Sequence, residues 1–116
     1  MNNFLKIIIL IFSINIFSDE MDINKAWCSD LGGNDQFRTK DGTYVDCLTD
    51  EYAIEAEYDN KWKEGIGQAL HYAESTNRKA AILFIKRAKS RKDYYNEMIR
   101  VINKYDLPIK VFVIEE

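Results

Sequence analysis

The chain has 116 residues, enough for one small domain, with 16 basic and 19 acidic residues and a formal net charge of −3. An acidic chain has no overall attraction for nucleic acid, so contact with a phosphate backbone would need a local basic surface. Two cysteines far from the single histidine, His71, exclude a zinc site.

Met1–Ser18 (MNNFLKIIILIFSINIFS) places one lysine before an apolar run and ends in a small polar residue ahead of Asp19 and Glu20. This is the pattern of a secretory signal peptide, with an uncleaved membrane anchor as the alternative; the apolar run is short and interrupted by Ser13 and Asn15 for a comfortable membrane span. The expected mature domain is residues 19–116, exported to the periplasm or secreted. Without Lys6 it carries 15 basic and 19 acidic residues, a net charge of −4. Export to an oxidising compartment makes a Cys28–Cys47 disulfide the default expectation. By chain entropy it would be worth roughly 3 kcal/mol.

The elements follow in order. Asp22–Leu31 suits a helix, with Ile23 and Trp27 on one face, stopped by Gly32 and Gly33. Asp35–Thr39 and Tyr44–Leu48 are strands around an Asp41-Gly42 hairpin signal. Tyr52–Tyr58 alternates cleanly, with Tyr52, Ile54, Ala56 and Tyr58 on one side and Ala53, Glu55 and Glu57 on the other. Taken alone, that second side suits the solvated face of an antiparallel sheet. Asp59 and Asn60 can cap a helix over Lys61–Thr76, which Asn77 ends. Ala80–Lys86 is a continuous apolar run, the mark of a strand buried on both faces. An amphipathic helix is expected over Arg91–Lys104, and a last strand over Ile109–Ile114 after Pro108. The expected fold is α/β, a single mixed sheet flanked by helices in the order α-β-β-β-α-β-α-β. A meander of the first three strands is extended by helical crossovers.

In the long helix, Lys61, Gly65, Gln68 and Tyr72 fall within an arc of roughly 60°. They form an edge beside an apolar stripe of Trp62, Ile66, Ala69, Leu70 and Ala73. Facing that edge the sheet can present Asp46, Glu55 and Glu57. Clustered carboxylates repel one another unless a cation sits among them, and Mg²⁺ or Mn²⁺ takes such hard oxygen ligands. His71 falls on the polar side and is expected at the surface. Lys86, Arg87, Lys89, Arg91 and Lys92 make a basic run that is either a solvated loop or a clamp on phosphate backbone.

An acid in the second strand, Asp46, an acid-x-acid pair in the third, Glu55 and Glu57, and a following Gln68-Ala-Leu-His-Tyr72 helix resemble the PD-(D/E)XK nuclease superfamily. The helix motif is similar to that of its RecB-like branch, and the stretch Asp41–Ala73 resembles small bacterial and phage proteins placed in the superfamily. The resemblance implies a restriction-endonuclease-like core and hydrolysis of DNA or RNA phosphodiesters. It implies Asp46 and Glu55, with Glu57 beside them, as ligands of Mg²⁺ or Mn²⁺, and Lys61, Gln68 and Tyr72 as catalytic or orienting groups. Glu57 stands where the superfamily usually has its lysine. Either Lys61 supplies the ammonium from a shifted position, or the chain is a non-catalytic exported binding protein on a degenerate nuclease fold. The superfamily often adds an acid from the first helix; near Gln36 the sequence offers none.

Overall fold

A computed structural model describes residues 19–116; segment 1–18, expected to be a signal peptide, lies outside the described residues. The elements are α1 (Glu20–Leu31), β1 (Asn34–Arg38), β2 (Tyr44–Leu48), β3 (Tyr52–Tyr58), a 3-10 turn (Asp59–Lys61), α2 (Trp62–Thr76), β4 (Lys79–Lys86), α3 (Tyr94–Lys104) and β5 (Ile109–Glu115). The five strands form one sheet in sequence order. β1–β2 and β2–β3 are antiparallel, while β3–β4 and β4–β5 are parallel, each joined by a helical crossover. The expected α/β class and element order are therefore those of the structure. Among the described residues no helix is long and apolar enough to cross a membrane.

Helices cover both faces of the sheet. On one face Cys28 of α1 packs with Cys47, Ile54, Ala56, Ala81, Leu83 and Ile85. On the other, Trp62 and Ala69 of α2 and Met98 and Ile102 of α3 pack with Ala80, Ile82 and Phe84. β4 is buried from Ala80 to Ile85, because both of its faces meet a helix. Glu55 and Glu57 lie on the α2 face. Each is only 6% exposed, so the acidic side of β3 is not the solvated face that its alternation suggests.

Helix starts differ from the sequence reading for local reasons. α1 begins at Glu20 because Asp19 caps it, its carboxylate accepting from Asp22 N at 3.0 Å. α2 begins at Trp62, with Asp59–Lys61 wound into a tighter turn. α3 begins at Tyr94 rather than Arg91, since Asp93 takes the capping position and accepts from Asn96 N at 3.1 Å. Asn77 ends α2 as expected, with a left-handed φ of 53°.

Cys28 and Cys47 form the expected disulfide, with Cα atoms 5.7 Å apart and both side chains fully buried. Gly33 passes directly over it. A Cβ at that position would stand 2.6 Å from Cys47 Sγ and 2.9 Å from Cys28 Sγ, so only glycine lets the chain cross there.

Candidate metal and nucleic-acid site

The site begins where β2 and β3 part. Their ladder holds only at Cys47↔Ile54 and Leu48↔Ala53. Beyond it, the Asp46 side chain takes the place of a backbone acceptor, Oδ2 receiving Ala56 N–H at 2.8 Å. Asp46 Oδ1 accepts from Gln36 Nε2 at 3.1 Å. Gln36 has a φ of 54°, a left-handed conformation that a non-glycine residue rarely adopts inside a strand. The main chain is thus held out of regular sheet geometry where an acid is aimed between two strands.

Glu55 neighbours the Asp46 carboxylate, which is bonded to the N–H of the next residue, Ala56. Burial, and then the nearby Asp46 carboxylate, push the Glu55 carboxyl up to about 10. Glu57 is raised to about 7, by burial first and then by the charges of Glu20, Asp46 and Glu64. Gln68 of α2 bridges the pair. With its amide nitrogen facing the acids, it donates to Glu55 Oε1 at 2.8 Å and Glu57 Oε1 at 3.0 Å. Glu55 Oε2 is buried, and among the described residues no hydrogen-bond donor reaches it. α2 comes this close because residue 65 is glycine; a Cβ there would meet Glu57 Cγ at 3.0 Å.

Of the residues singled out from sequence, Asp46, Glu55, Glu57 and Gln68 come together. Tyr72 is buried beside them in a small cluster with Val45, Leu48 and Ala53, and its hydroxyl is pushed up by burial and then by the Glu55 charge. Lys61 closes the 3-10 turn and is exposed. Its charge acts on Glu20, and it makes no hydrogen bond to the acids among the described residues. The structure adds Glu20, which sequence reasoning missed. It lies in the first turn of α1; its charge acts on Glu57, and its own carboxyl is raised by burial and then by the Asp46 charge. The signal was the Asp19 cap, which moves the helix start forward onto Glu20. Among the described residues no group of three or more His, Cys, Asp and Glu side chains is arranged to hold a metal ion. Asp46 and Glu55 are a two-carboxylate set.

The basic run lies at the same end of the sheet. Arg87 Nε donates to buried Asp59 Oδ1 at 2.8 Å, tying the loop to the turn that follows Glu57. Lys86 pairs with Glu115 at 3.9 Å and Lys92 with Glu97 at 2.9 Å, whereas Lys89 and Arg91 make no ion pair among the described residues. Lys79 sits at the opposite end, paired with Glu51. His71 is at the surface as expected, 2.9 Å from Asp41 Oδ2. A cavity of about 640 Å³ between Phe37–Asp41 and Glu74–Arg78 does not include the acids among its lining residues.

These carboxyl shifts make a pH prediction. A carboxyl with a raised folded pKa holds its proton more tightly in the folded state. Its contribution to stability is full below about pH 4.5 and is lost as pH rises through about 7 for Glu57 and about 10 for Glu55. Metal-free protein is expected to weaken steadily across that window in denaturant titrations. Glu55→Gln, which keeps the protonated shape, flattens the upper part of the profile.

No family model matches the chain, and no solved structure matches it. A KilA-N domain-containing protein, L33, of Acanthamoeba polyphaga mimivirus is 30% identical over 93 residues, which are 80% of this chain. The match covers 37% of that protein, so the chain spans little more than a third of its relative's length.

Proposed function

We propose that the chain is an exported, metal-dependent phosphodiesterase acting on nucleic acid, with Asp46 and Glu55 as the carboxylates that hold Mg²⁺ or Mn²⁺. The observation that carries this reading is the placement of the Asp46 carboxylate, bonded to the Ala56 N–H, beside Glu55, whose buried Oε2 has no hydrogen-bond partner among the described residues. Such an atom needs either a proton or a cation, and the donors around it are hard oxygens suited to an ion that binds through one or two carboxylates and keeps waters and phosphate in its shell. When bound, the ion would polarise a phosphoryl oxygen and lower the pKa of its water.

The chain's own residues do the rest. Gln68 holds Glu55 and Glu57 in place from α2, and Gln36 with the Ala56 N–H fixes Asp46. Glu57, with a pKa near 7, can take up or release a proton at its carboxylate within physiological pH. Exposed Lys61 adds positive charge at the mouth of the site beside Glu20. Lys89 and Arg91, with Lys86, Arg87 and Lys92 around them, supply the local basic surface that an acidic protein needs to meet phosphate. Export rests on Met1–Ser18, and the buried disulfide agrees with it.

A second reading is a non-catalytic binding domain on a degenerate nuclease fold. It is favoured by Glu57 in the usual place of a lysine and by Lys61 facing Glu20 without a hydrogen bond to the acids. Plasmid nicking decides between them. The purified chain should cut supercoiled DNA with Mg²⁺ or Mn²⁺ and stop on addition of EDTA. Intact plasmid with both metals would leave the binding-domain reading.

A further inference from the structure

The loop after β4 borders another cavity, of about 260 Å³, whose lining includes Asp59, Lys86, Arg91, Lys92, Asp93 and Tyr95. Three cations and two tyrosines face it. Its two acids are already committed. Asp59 is bound by Arg87, and Asp93 accepts from the backbone and side chain of Asn96. Arg91 makes no ion pair among the described residues. The cavity opens over the first turn of the 11-residue helix α3, where the helix dipole adds positive potential. The Tyr95 ring is 38% exposed and held edge-on by Phe84, with ring centroids 5.7 Å apart. It is a supported aromatic surface of the kind that a nucleobase can stack on.

The position of the cavity matters as much as its lining. Phe84 is the β4 partner of Glu57 in the sheet register, so about one strand spacing, ~5 Å, separates their backbones. Asp59 follows Glu57 by two residues and also lines the cavity. We propose that this cavity is a subsite for one nucleotide of the substrate strand next to the cleaved linkage. Arg91 and Lys86 hold its phosphate, and Tyr95 carries its base. The proposal rests on the nucleic-acid reading above and assigns that reading a discrete pocket, where a basic loop alone would give only diffuse attraction.

The test is performed in EDTA, so that it does not depend on cleavage. Backbone amide spectra of the ¹⁵N-labelled chain are recorded with inorganic phosphate and then with a deoxynucleoside monophosphate as probe. Shifts should centre on Ser90–Tyr95, with the nucleotide binding more tightly than phosphate. Arg91→Ala should weaken the nucleotide about tenfold or more, as expected for loss of a hydrogen bond to a charged group. Tyr95→Ala should remove the advantage of nucleotide over phosphate, and Lys104→Ala, a basic change elsewhere on α3, should change neither. Shifts spread over all basic residues, or equal weakening by Lys104→Ala, would overturn the subsite. Binding at Ser90–Tyr95 by a chain that never nicks DNA would keep the subsite and remove the catalytic reading. Nicking without these shifts would do the reverse.

Discussion

Glu55→Gln lowers metal-dependent plasmid nicking by more than about 100-fold while leaving the protein folded, because it removes one of the two carboxylates that would hold the ion. The substitution keeps the shape of Glu55 and its bond to Gln68 but supplies a neutral amide where an anion is required. It also reproduces the protonated state that burial and Asp46 favour in the absence of metal, so the variant should unfold at the same or higher denaturant concentration than wild type at neutral pH. Activity and stability therefore move in opposite directions. A structural role for Glu55 would move them together. A variant that unfolds more easily, or that nicks DNA as well as wild type, would remove Glu55 from the metal-binding pair.

The second large effect concerns the fold. Cys28→Ala/Cys47→Ala should cost about 3 kcal/mol from loss of the closed loop, with a further contribution from the cavity left between α1 and the sheet. The bond spans a sequence separation of 19 and ties α1 to β2, next to Asp46. Its loss should lower the urea midpoint by roughly 1–3 M, given slopes of about 1–3 kcal/mol/M for small proteins. For a chain of this size that is a large share of total stability. A midpoint shift below about 0.5 M would show that packing, rather than the cross-link, holds α1 against the sheet.

The fold was legible where local chemistry and global topology agree. Asp41-Gly42 marks the first hairpin, the apolar run Ala80–Lys86 marks a strand covered on both faces, and Asn77 marks the end of α2. The site was legible only in part. Asp46, Glu55, Glu57 and Gln68 share a stretch whose spacing places them together. Their burial was not readable, because alternation in β3 says which residues share a face and not whether a helix covers it. Glu20 was missed because its place depends on a single capping residue, Asp19, and on where α1 docks. The left-handed turn at Gln36 leaves no mark in composition, since glutamine has no preference for it. The basic run looked uniform in sequence. In the structure Arg87 is tied to buried Asp59 and Lys92 to Glu97, so only part of the run faces outward uncommitted. Such distinctions come from tertiary partners and have no local signature.

The central claim is that Asp46 and Glu55 form a place for a divalent cation. Calorimetric titration of Mg²⁺ or Mn²⁺ into the metal-free chain, repeated in two buffers of different ionisation enthalpy, tests it most directly. The account predicts binding of one ion per chain with release of protons near neutral pH, since Glu55 holds its proton until a cation displaces it. Both the binding and the proton release should vanish in Glu55→Gln. Absence of metal binding by the wild-type chain, or binding that Glu55→Gln leaves unchanged, would contradict it.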